Sequence, residues 1–199
     1  MVSMKTTATG RKALSHERIV QAAAHAVRRD GFNGVGVADV MKSAGLTHGG
    51  FYAHFESRDE LLAAAVEQAA REIGVLIDKQ VEQLQAQGMS AFRAHVEIYL
   101  SEGHALDCAN GCPASALCAE VSRQAPPVVA ASREMIGGLQ RVIAGRLPPG
   151  SPETAAWAVT SALVGAVQLA RALGEGEQAR EVLTQTRNEL LARYDVPAS

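Results

Sequence analysis

The chain has 199 residues, of which 47% are hydrophobic, 20% charged and 4% aromatic, and its formal net charge is −2. This length and apolar content suit one or two compact domains and exclude wholesale disorder. The three cysteines, an odd number between positions 108 and 118, argue against a disulfide-stapled secreted fold. The first residues contain no apolar segment of the kind found in signal peptides, so we expect a cytoplasmic protein.

The charge is divided unevenly along the chain. Residues 1–55 carry seven Lys or Arg and three Asp or Glu, a net charge of +4, whereas residues 56–199 carry a net charge of −6. A small basic segment joined to a larger acidic one is typical of a DNA-reading module attached to a domain of another kind. A chance fluctuation of a few charges is the alternative interpretation.

The first sixty residues predict three helices and the start of a fourth. Ser15 is predicted to cap a first helix that ends at Gly31. A second, short helix is predicted near 37–44, and a third begins after Thr47. Ser57 is then predicted to cap a longer fourth helix with a buried leucine and alanine stripe.

The rest of the chain is also predicted to be helical. Glycine and proline residues delimit five more helices, near 89–104, 113–124, 127–147, 153–173 and 177–194. No sustained alternation of β-branched residues predicts a strand. The expected fold is all-α with about nine helices. The most apolar stretch, 155–173, is interrupted by polar residues and is short for a bilayer span, so a buried or interface helix is expected rather than a membrane segment.

Two short helices between Val37 and Phe55 form a candidate helix-turn-helix. Gly45 can adopt the left-handed conformation of a sharp turn. Phe51 and Phe55 are expected to anchor the second helix, and the polar side chains beside them to point outwards. Two adjacent glycines weaken a helix by about 1 kcal/mol each but allow its backbone to approach DNA closely. The side chains expected to face outwards, where hydroxyls and imidazoles suit phosphates and base edges, are Thr47, His48, Tyr52 and His54.

Residues 18–62 resemble the N-terminal domain of the TetR/AcrR family of bacterial transcriptional regulators. The matching segments lie in one ungapped register: Ile19–Ala23, Gly31-Phe32, Val37–Val40, Ala44–Thr47, Phe51–Phe55 and Ser57–Leu62. Gly36 departs from the family pattern, in which a Ser or Thr often caps the second helix.

The resemblance implies a division into three parts: a flexible basic arm (1–14), a helix-turn-helix domain (15–58) and a ligand-binding and dimerisation domain (59–199). It implies a double-stranded DNA operator as partner, with Arg58 gripping a phosphate. The arm is expected to contact DNA through Lys5, Arg11 and Lys12, or to be a solvated tail. The predicted DNA-contacting set is Val37, Thr47, His48, Gly49, Gly50, Tyr52, His54 and Arg58.

The family resemblance also implies a homodimer and a small-molecule effector. The last two helices, near 153–173 and 177–194, are the expected dimerisation helices, and packing within one chain is the alternative. The apolar residues expected at the interface are Trp157, Val159, Ala162, Leu163, Ala166 and Val167 of the first helix and Val182, Leu183, Leu190 and Leu191 of the second. Polar or polarisable residues between about 60 and 170 are candidate effector contacts. They are His95, Tyr99, His104, Cys112, Met135, Trp157 and Gln168.

The segment from His104 to Cys118 leaves three interpretations open. Its three thiols and one imidazole are a possible zinc set, although their spacing is not that of a zinc knuckle. Cys112 precedes a predicted helix start, which favours a redox or electrophile sensor with Cys108 as a resolving thiol. Inert cysteines that line a cavity are the simplest interpretation, and no metal or cofactor is expected.

The sequence predicts a ligand-responsive transcriptional regulator, a repressor that binds a pseudo-palindromic operator as a dimer and is released by a small-molecule effector. A thiol-based sensor that uses Cys108, Cys112 and Cys118 to control the same DNA binding is the alternative. A helical enzyme or carrier is disfavoured, because no catalytic triad, phosphate-binding loop or paired metal carboxylates can be found in the sequence.

Overall fold

The computed structural model describes residues 8–195, and this part of the chain is helical with no strand. It contains nine α-helices and one 3₁₀ helix, as the sequence predicts for the fold class. In chain order these are α1 (Ala8–Gly34), α2 (Val37–Ser43), the 3₁₀ helix (His48–Ala53), α3 (Arg58–Gln85), α4 (Ala91–Tyr99), α5 (Glu102–Leu106), α6 (Pro113–Val121), α7 (Pro126–Arg146), α8 (Ala155–Leu173) and α9 (Glu177–Tyr194).

The first helix begins earlier than predicted. α1 starts at Ala8, so Ser15 lies inside the helix and is not its N-cap. Residues 8–14 of the expected flexible arm are therefore helical, and its Lys5 lies outside the described residues. The predicted end at Gly31 is a kink, with φ 71° and ψ 176°, after which the chain turns helical again up to Gly34. That backbone conformation is essentially restricted to glycine.

The turn between α2 and the 3₁₀ helix forms as predicted. Gly45 has a φ of 68°, and the Arg18 side chain donates a hydrogen bond to the carbonyl of Ala44 beside it. Thr47 occupies the N-cap position, but its side chain accepts no capping hydrogen bond. The element that follows is a 3₁₀ helix instead of the expected α-helix, in keeping with the poor α-helix propensity of Gly49 and Gly50.

The long helix α3 joins the two ends of the molecule. Its predicted N-cap is confirmed, because the Ser57 side chain accepts a hydrogen bond from the Glu60 N–H at 3.1 Å. Its N-terminal part packs on α1 and its later turns on α7 and α4. The helix thus begins in the segment expected to read DNA and continues through the core of the remainder.

A single helix was predicted near 89–104, and the structure has two. α4 ends at Tyr99, and Ser101 starts α5 by accepting a hydrogen bond from the His104 N–H at 3.2 Å. The Ser101 hydroxyl also donates to the carbonyl of Ile98 at 2.8 Å. One serine therefore ends the first helix and caps the next, which the sequence pattern did not reveal.

The last two helices pack mainly against their own chain. In α8, Val159, Leu163, Ala166 and Val167 are buried inside the chain, as are Leu183 and Leu190 of α9. The apolar face assigned to a partner is thus largely intramolecular core, which corrects that part of the prediction. The large apolar side chains that α8 leaves exposed are Trp157, Leu169 and Leu173.

The apolar helix α8 is, by length and composition, the one described helix that could cross a membrane, and 39% of its most apolar stretch is buried inside the protein. It packs on α5, α6, α7 and α9. These contacts make it a bundle helix of this fold.

Candidate functional site

The turn and the 3₁₀ helix present a polar face on an aromatic base. Phe51 and Phe55 are buried, and their rings stack with centroids 5.7 Å apart. Tyr52, between them in sequence, is 75% exposed, and Thr47 and His48 are also exposed. The predicted separation of anchoring and outward-facing side chains is thus present for these residues.

The remaining members of the predicted DNA-contacting set differ in exposure. Gly49 is exposed with open space beside it, and Gly50 is half-buried against Met41. Val37 is half-buried at the start of α2, whose N-cap, Gly36, has no capping side chain. The side chains that project from this face are therefore those of Thr47, His48 and Tyr52.

His54 does not point freely outwards, contrary to the prediction. Its ring is half-buried, its Nδ1 atom is buried without a hydrogen-bond partner, and it lies 5.9 Å from the ring of His16. Burial lowers the pKa of His54, and the nearby His16 and Lys12 lower it further. The residue therefore packs against α1, a long-range contact that its position in the sequence did not indicate.

Arg58 is largely occupied by backbone carbonyls. Its Nε donates to the carbonyl of Val35 at 3.1 Å, and a terminal nitrogen donates to the carbonyl of Phe32. The side chain is half-buried. We conclude that Arg58 ties the start of α3 to the loop after α1, instead of standing free for a phosphate as the resemblance implied.

Three of the basic side chains in the first 55 positions are also bound to other groups of the protein. Arg28 is buried and pairs with Glu72 at 2.7 Å, Arg29 pairs with Asp30 at 2.6 Å, and Arg18 binds the Ala44 carbonyl. Within residues 8–55, the exposed cations that neither pair with a carboxylate nor donate to a carbonyl are Arg11, Lys12 and Lys42.

A cavity of about 470 Å³ lies between α3, α6, α7 and the end of α4. Its wall is mainly aliphatic, with charged side chains from α3 and α7 among the lining residues. Four of the seven predicted effector contacts line it: His95, Tyr99, Cys112 and Met135. The helix spacing that suggested these residues as candidates did not show that they would share one cavity.

The other three predicted contacts do not line this cavity. Trp157 is exposed on α8, and Gln168 is half-buried on the same helix. His104 borders a smaller cavity of about 250 Å³ on the other side of Tyr99. For these three residues the amphipathic pattern was compatible with several rotations of the helix about its axis. Packing selected a rotation that places them away from the large cavity.

The imidazole of His95 is held by an arginine. The ring is 1% exposed, and its Nδ1 contacts a terminal nitrogen of Arg146, whose other terminal nitrogen pairs with Asp78. The opposite atom, Nε2, is buried without a hydrogen-bond partner. Burial lowers the pKa of His95 to about 3, with Arg146 and His104 acting in the same direction. The ring is therefore neutral at physiological pH.

A second imidazole fixes the loop that carries Cys112. His104 Nδ1 lies 2.7 Å from the carbonyl of Tyr99, and its Nε2 accepts a hydrogen bond from the Cys112 N–H at 3.0 Å. Burial lowers the pKa of His104, which keeps the ring neutral and able to serve as donor and acceptor at once. The Tyr99 hydroxyl in turn bonds the Ser115 hydroxyl at 3.0 Å, which secures the first turn of α6.

The three cysteines are free thiols in different settings. Cys112 is buried in the cavity wall, whereas Cys108 and Cys118 are half-buried. Burial raises the pKa of Cys118 to about 11, with a contribution from Cys112. Within residues 8–195, no group of three or more His, Cys, Asp or Glu side chains is arranged to hold a metal ion.

The end of α6 contacts the kink in α1, which sequence reasoning missed. Glu120 Oε2 accepts a hydrogen bond from the Phe32 N–H at 3.1 Å. A Cβ at Gly31 would lie 2.4 Å from Glu120 Oε1, so the carboxylate fits against the bare glycine. The start of α6 lines the cavity and its end holds the segment that precedes the helix-turn-helix. The two residues are 88 positions apart, and no local signal marks the contact.

Residues 19–65 match the family described as bacterial regulatory proteins, tetR family. This region contains the kink, the turn and the exposed face described above. The N-terminal segment of this chain is thus a TetR-family domain. The chain is a transcriptional regulator of the DNA-binding kind, and regulators of this family bind DNA and ligands and form dimers.

Several known proteins are similar to this chain over nearly their whole length. An uncharacterised HTH-type transcriptional regulator of Mycobacterium tuberculosis is 29% identical over 187 residues, which cover 88% of this chain and 94% of the relative. The reduced form of E. coli NemR has a TM-score of 0.71 at 22% identity, covering 93% of this chain and all of NemR. The multidrug binding protein EbrR, complexed with imidazole, has a TM-score of 0.60 at 22% identity, covering 92% and 97%.

The neutral His95 predicts a loss of stability in acid. Its pKa of about 3 in the folded protein lies below the value near 6.5 of an unfolded chain, so only the unfolded state gains a proton between these pH values. The free energy of unfolding should be maximal above pH 6.5 and fall below it, with a contribution from His95 of up to about 1.4 kcal/mol per pH unit. Urea unfolding at pH 7.5, 6.5 and 5.5 measures this dependence.

The variant His95→Phe should reduce that slope by most of the His95 contribution. His25→Phe, the same exchange at an exposed position of α1, serves as the control and should retain the wild-type slope. Equal slopes for the wild type and His95→Phe would contradict the assignment of a neutral buried imidazole.

Proposed function

We propose that this TetR-family regulator is a homodimeric repressor that binds a pseudo-palindromic operator and is released by a small molecule bound in the 470 Å³ cavity. The observation that carries the proposal is the position of α6, which lines the cavity at one end and contacts the kink of α1 at the other. Residues 15–58 are the proposed DNA-binding domain and residues 59–199 the proposed effector and dimerisation domain, in a cytoplasmic protein.

The exposed face of the helix-turn-helix supports the choice of DNA contacts. Thr47, His48 and Tyr52 project from a base fixed by buried phenylalanines, and Gly49 leaves room for close approach of the backbone. Hydroxyl and imidazole groups can bond phosphates or base edges. We infer that these four residues contact the operator and that Arg58 and His54 support the domain from within.

A dimer is supported by the apolar side chains that α8 leaves uncovered. Trp157, Leu169 and Leu173 are each about half exposed, and three large uncovered apolar side chains on one helix offer a contact surface to a second chain. One helix-turn-helix covers too few base pairs for tight specific binding, whereas a two-fold dimer reads two half-sites about 34 Å apart. We infer that α8 and α9 of two chains pack together.

The proposed release mechanism is a shift between two conformations. A molecule in the cavity contacts the start of α6 and α7, and it favours a position of α6 in which Glu120 no longer holds the Phe32 N–H in the DNA-binding arrangement. The two recognition faces would then lose their spacing on the operator. EbrR, which was crystallised with imidazole, is a solved structure of similar fold with a small heterocycle bound.

The double variant His48→Ala and Tyr52→Ala should weaken specific DNA binding. Loss of two base-edge or phosphate contacts at about 1–3 kcal/mol each predicts at least a tenfold rise in Kd. A gel shift on the protein's own promoter region, at fixed salt concentration, measures it. His25→Ala, at an exposed position outside the turn, is the matched control and should bind as the wild type does. Wild-type affinity in the double variant would refute the assignment of these two contacts.

Glu120→Ala should disturb communication between the cavity and the DNA-binding domain. Removal of the acceptor for the Phe32 N–H leaves the kink held from one side only, by Arg58. We expect the folded protein to bind effector within about twofold of wild type, since Glu120 does not line the cavity, but to bind DNA more weakly and to be released by less effector, because the hydrogen bond that holds the DNA-binding arrangement is already lost. The comparison is between a ligand titration and the effector concentration that halves a gel-shift complex.

Glu120→Gln is the matched control, because its amide oxygen can still accept from the Phe32 N–H. Its DNA affinity and the effector concentration that releases it should lie closer to those of the wild type than those of Glu120→Ala do. If Glu120→Ala is released at the wild-type concentration of effector, the route through α6 is wrong.

A thiol sensor that controls the same DNA binding is the second candidate, and the position of Cys112 favours it. This thiol lies in the cavity wall, so an oxidant or electrophile that adds a group to its sulfur introduces bulk next to Tyr99 and the first turn of α6. Cys118 is a poorer nucleophile, because burial raises its pKa to about 11 and leaves it a thiol at neutral pH.

Hydrogen peroxide and N-ethylmaleimide distinguish the two candidates. If Cys112 is the sensor, either reagent should release the wild type from DNA at least tenfold more readily than Cys112→Ser. Cys118→Ser, a matched exchange of the neighbouring thiol, should respond as the wild type does. Equal release of Cys112→Ser and the wild type would eliminate the thiol candidate and leave the effector proposal in place.

A further inference from the structure

Each of the five charged residues that line the large cavity has an oppositely charged partner. Glu67 pairs with Arg71 and Asp78 with Arg146 within the lining, whereas Glu134 pairs with Arg141, which is not a lining residue. A buried ionic ligand needs an opposite charge to compensate for the water that it loses. Among the described lining residues no such unmatched charge is present, so a ligand with net charge is disfavoured.

The proton of His95 can be assigned from its partner. Arginine has only donors, so the nitrogen of Arg146 that contacts Nδ1 of His95 requires Nδ1 to accept. In a neutral ring the proton then belongs to Nε2. Burial lowers the pKa of His95 to about 3, which keeps the ring in this neutral form.

The Nε2–H donor of His95, a residue of the cavity wall, is unpaired. His95 is 99% buried and lines the cavity, and Nε2 has no partner in the described protein. A buried donor without an acceptor costs free energy, and such groups in native proteins are commonly completed by a ligand or a water. The flexible side chain of Met135 lines the same cavity and can move at little cost when a molecule enters.

We propose that the cavity binds a neutral, mainly apolar molecule with one hydrogen-bond acceptor, such as a carbonyl oxygen, that accepts from Nε2 of His95. The inference rests on the proposed role of this cavity as the effector site. Its volume of about 470 Å³ lies within the range of small-molecule sites in proteins. The paired charges select against ionic molecules, and the lone donor selects among neutral ones.

Four probes of similar shape separate these requirements. Benzophenone is neutral and has a carbonyl acceptor, diphenylmethane has no acceptor, diphenylacetate is an anion and benzhydrylammonium is a cation. Isothermal titration calorimetry on the full chain without DNA measures their Kd values. We expect benzophenone to bind about tenfold more tightly than diphenylmethane, as one hydrogen bond allows, and both ions to bind more weakly than benzophenone.

Two variants test the role of His95 itself. His95→Phe should reduce the preference for benzophenone over diphenylmethane to within about twofold, and His25→Phe should keep it. Since His95→Phe removes a partner of Arg146 and could impair folding, His95→Gln is the second variant. Its side-chain amide can also donate a hydrogen bond, so this variant should retain part of the preference for benzophenone over diphenylmethane.

The proposal is overturned if diphenylmethane binds as tightly as benzophenone, if either ion binds most tightly, if the preference survives in His95→Phe, or if no probe binds up to its solubility limit. Because DNA is absent, these results do not depend on the repressor proposal. Conversely, a protein that binds benzophenone as expected but whose DNA complex is unaffected by it would refute release by effector while leaving the ligand class intact.

Discussion

The backbone of Phe32 is held from two directions, and the position of the DNA-binding segment depends on it. Its N–H donates to Glu120 of α6, and its carbonyl accepts from Arg58 of α3. The preceding Gly31 supplies a backbone conformation open almost only to glycine and leaves room for the carboxylate. Two helices that line or border the cavity therefore fix the backbone of one residue just before the helix-turn-helix. A shift of either helix must be transmitted to this residue or break one of its hydrogen bonds.

Local patterns predicted those parts of the fold that local interactions determine. The boundaries of α7, α8 and α9 lie within about two residues of those expected from proline and glycine positions, and the Ser57 cap forms as predicted. The aromatic base of Phe51 and Phe55 also follows from their spacing of four. In each case the interacting groups lie within a few residues of one another.

Contacts between distant residues could not be predicted in the same way. The Phe32–Glu120 and His95–Arg146 contacts span 88 and 51 positions. They depend on how helices cross, and one amphipathic pattern is compatible with several crossings. His54 illustrates the cost of this ambiguity, because its outward placement agreed with helix spacing, while the contact with α1 turned it inwards. Similarly, an apolar stripe on α8 does not reveal whether its own chain or a partner covers it. Val159 is buried within its own chain, whereas Trp157 is exposed.

The fold also shows which of the basic side chains in residues 8–55 are free of protein partners. The surplus of +4 in the first 55 residues suggests a strongly basic surface, but Arg28 and Arg29 are neutralised by carboxylates and Arg18 is bound to a carbonyl. The exposed cations that remain in residues 8–55, Arg11, Lys12 and Lys42, can neutralise about three phosphates per chain. The salt dependence of DNA binding grows with the number of phosphates neutralised, and so does the nonspecific part of the affinity. In the proposed dimer, few phosphate contacts per subunit would make the affinity depend chiefly on engaging two half-sites at once, and binding would be sensitive to the spacing of the two subunits. A small movement of α6 would then be sufficient to control it.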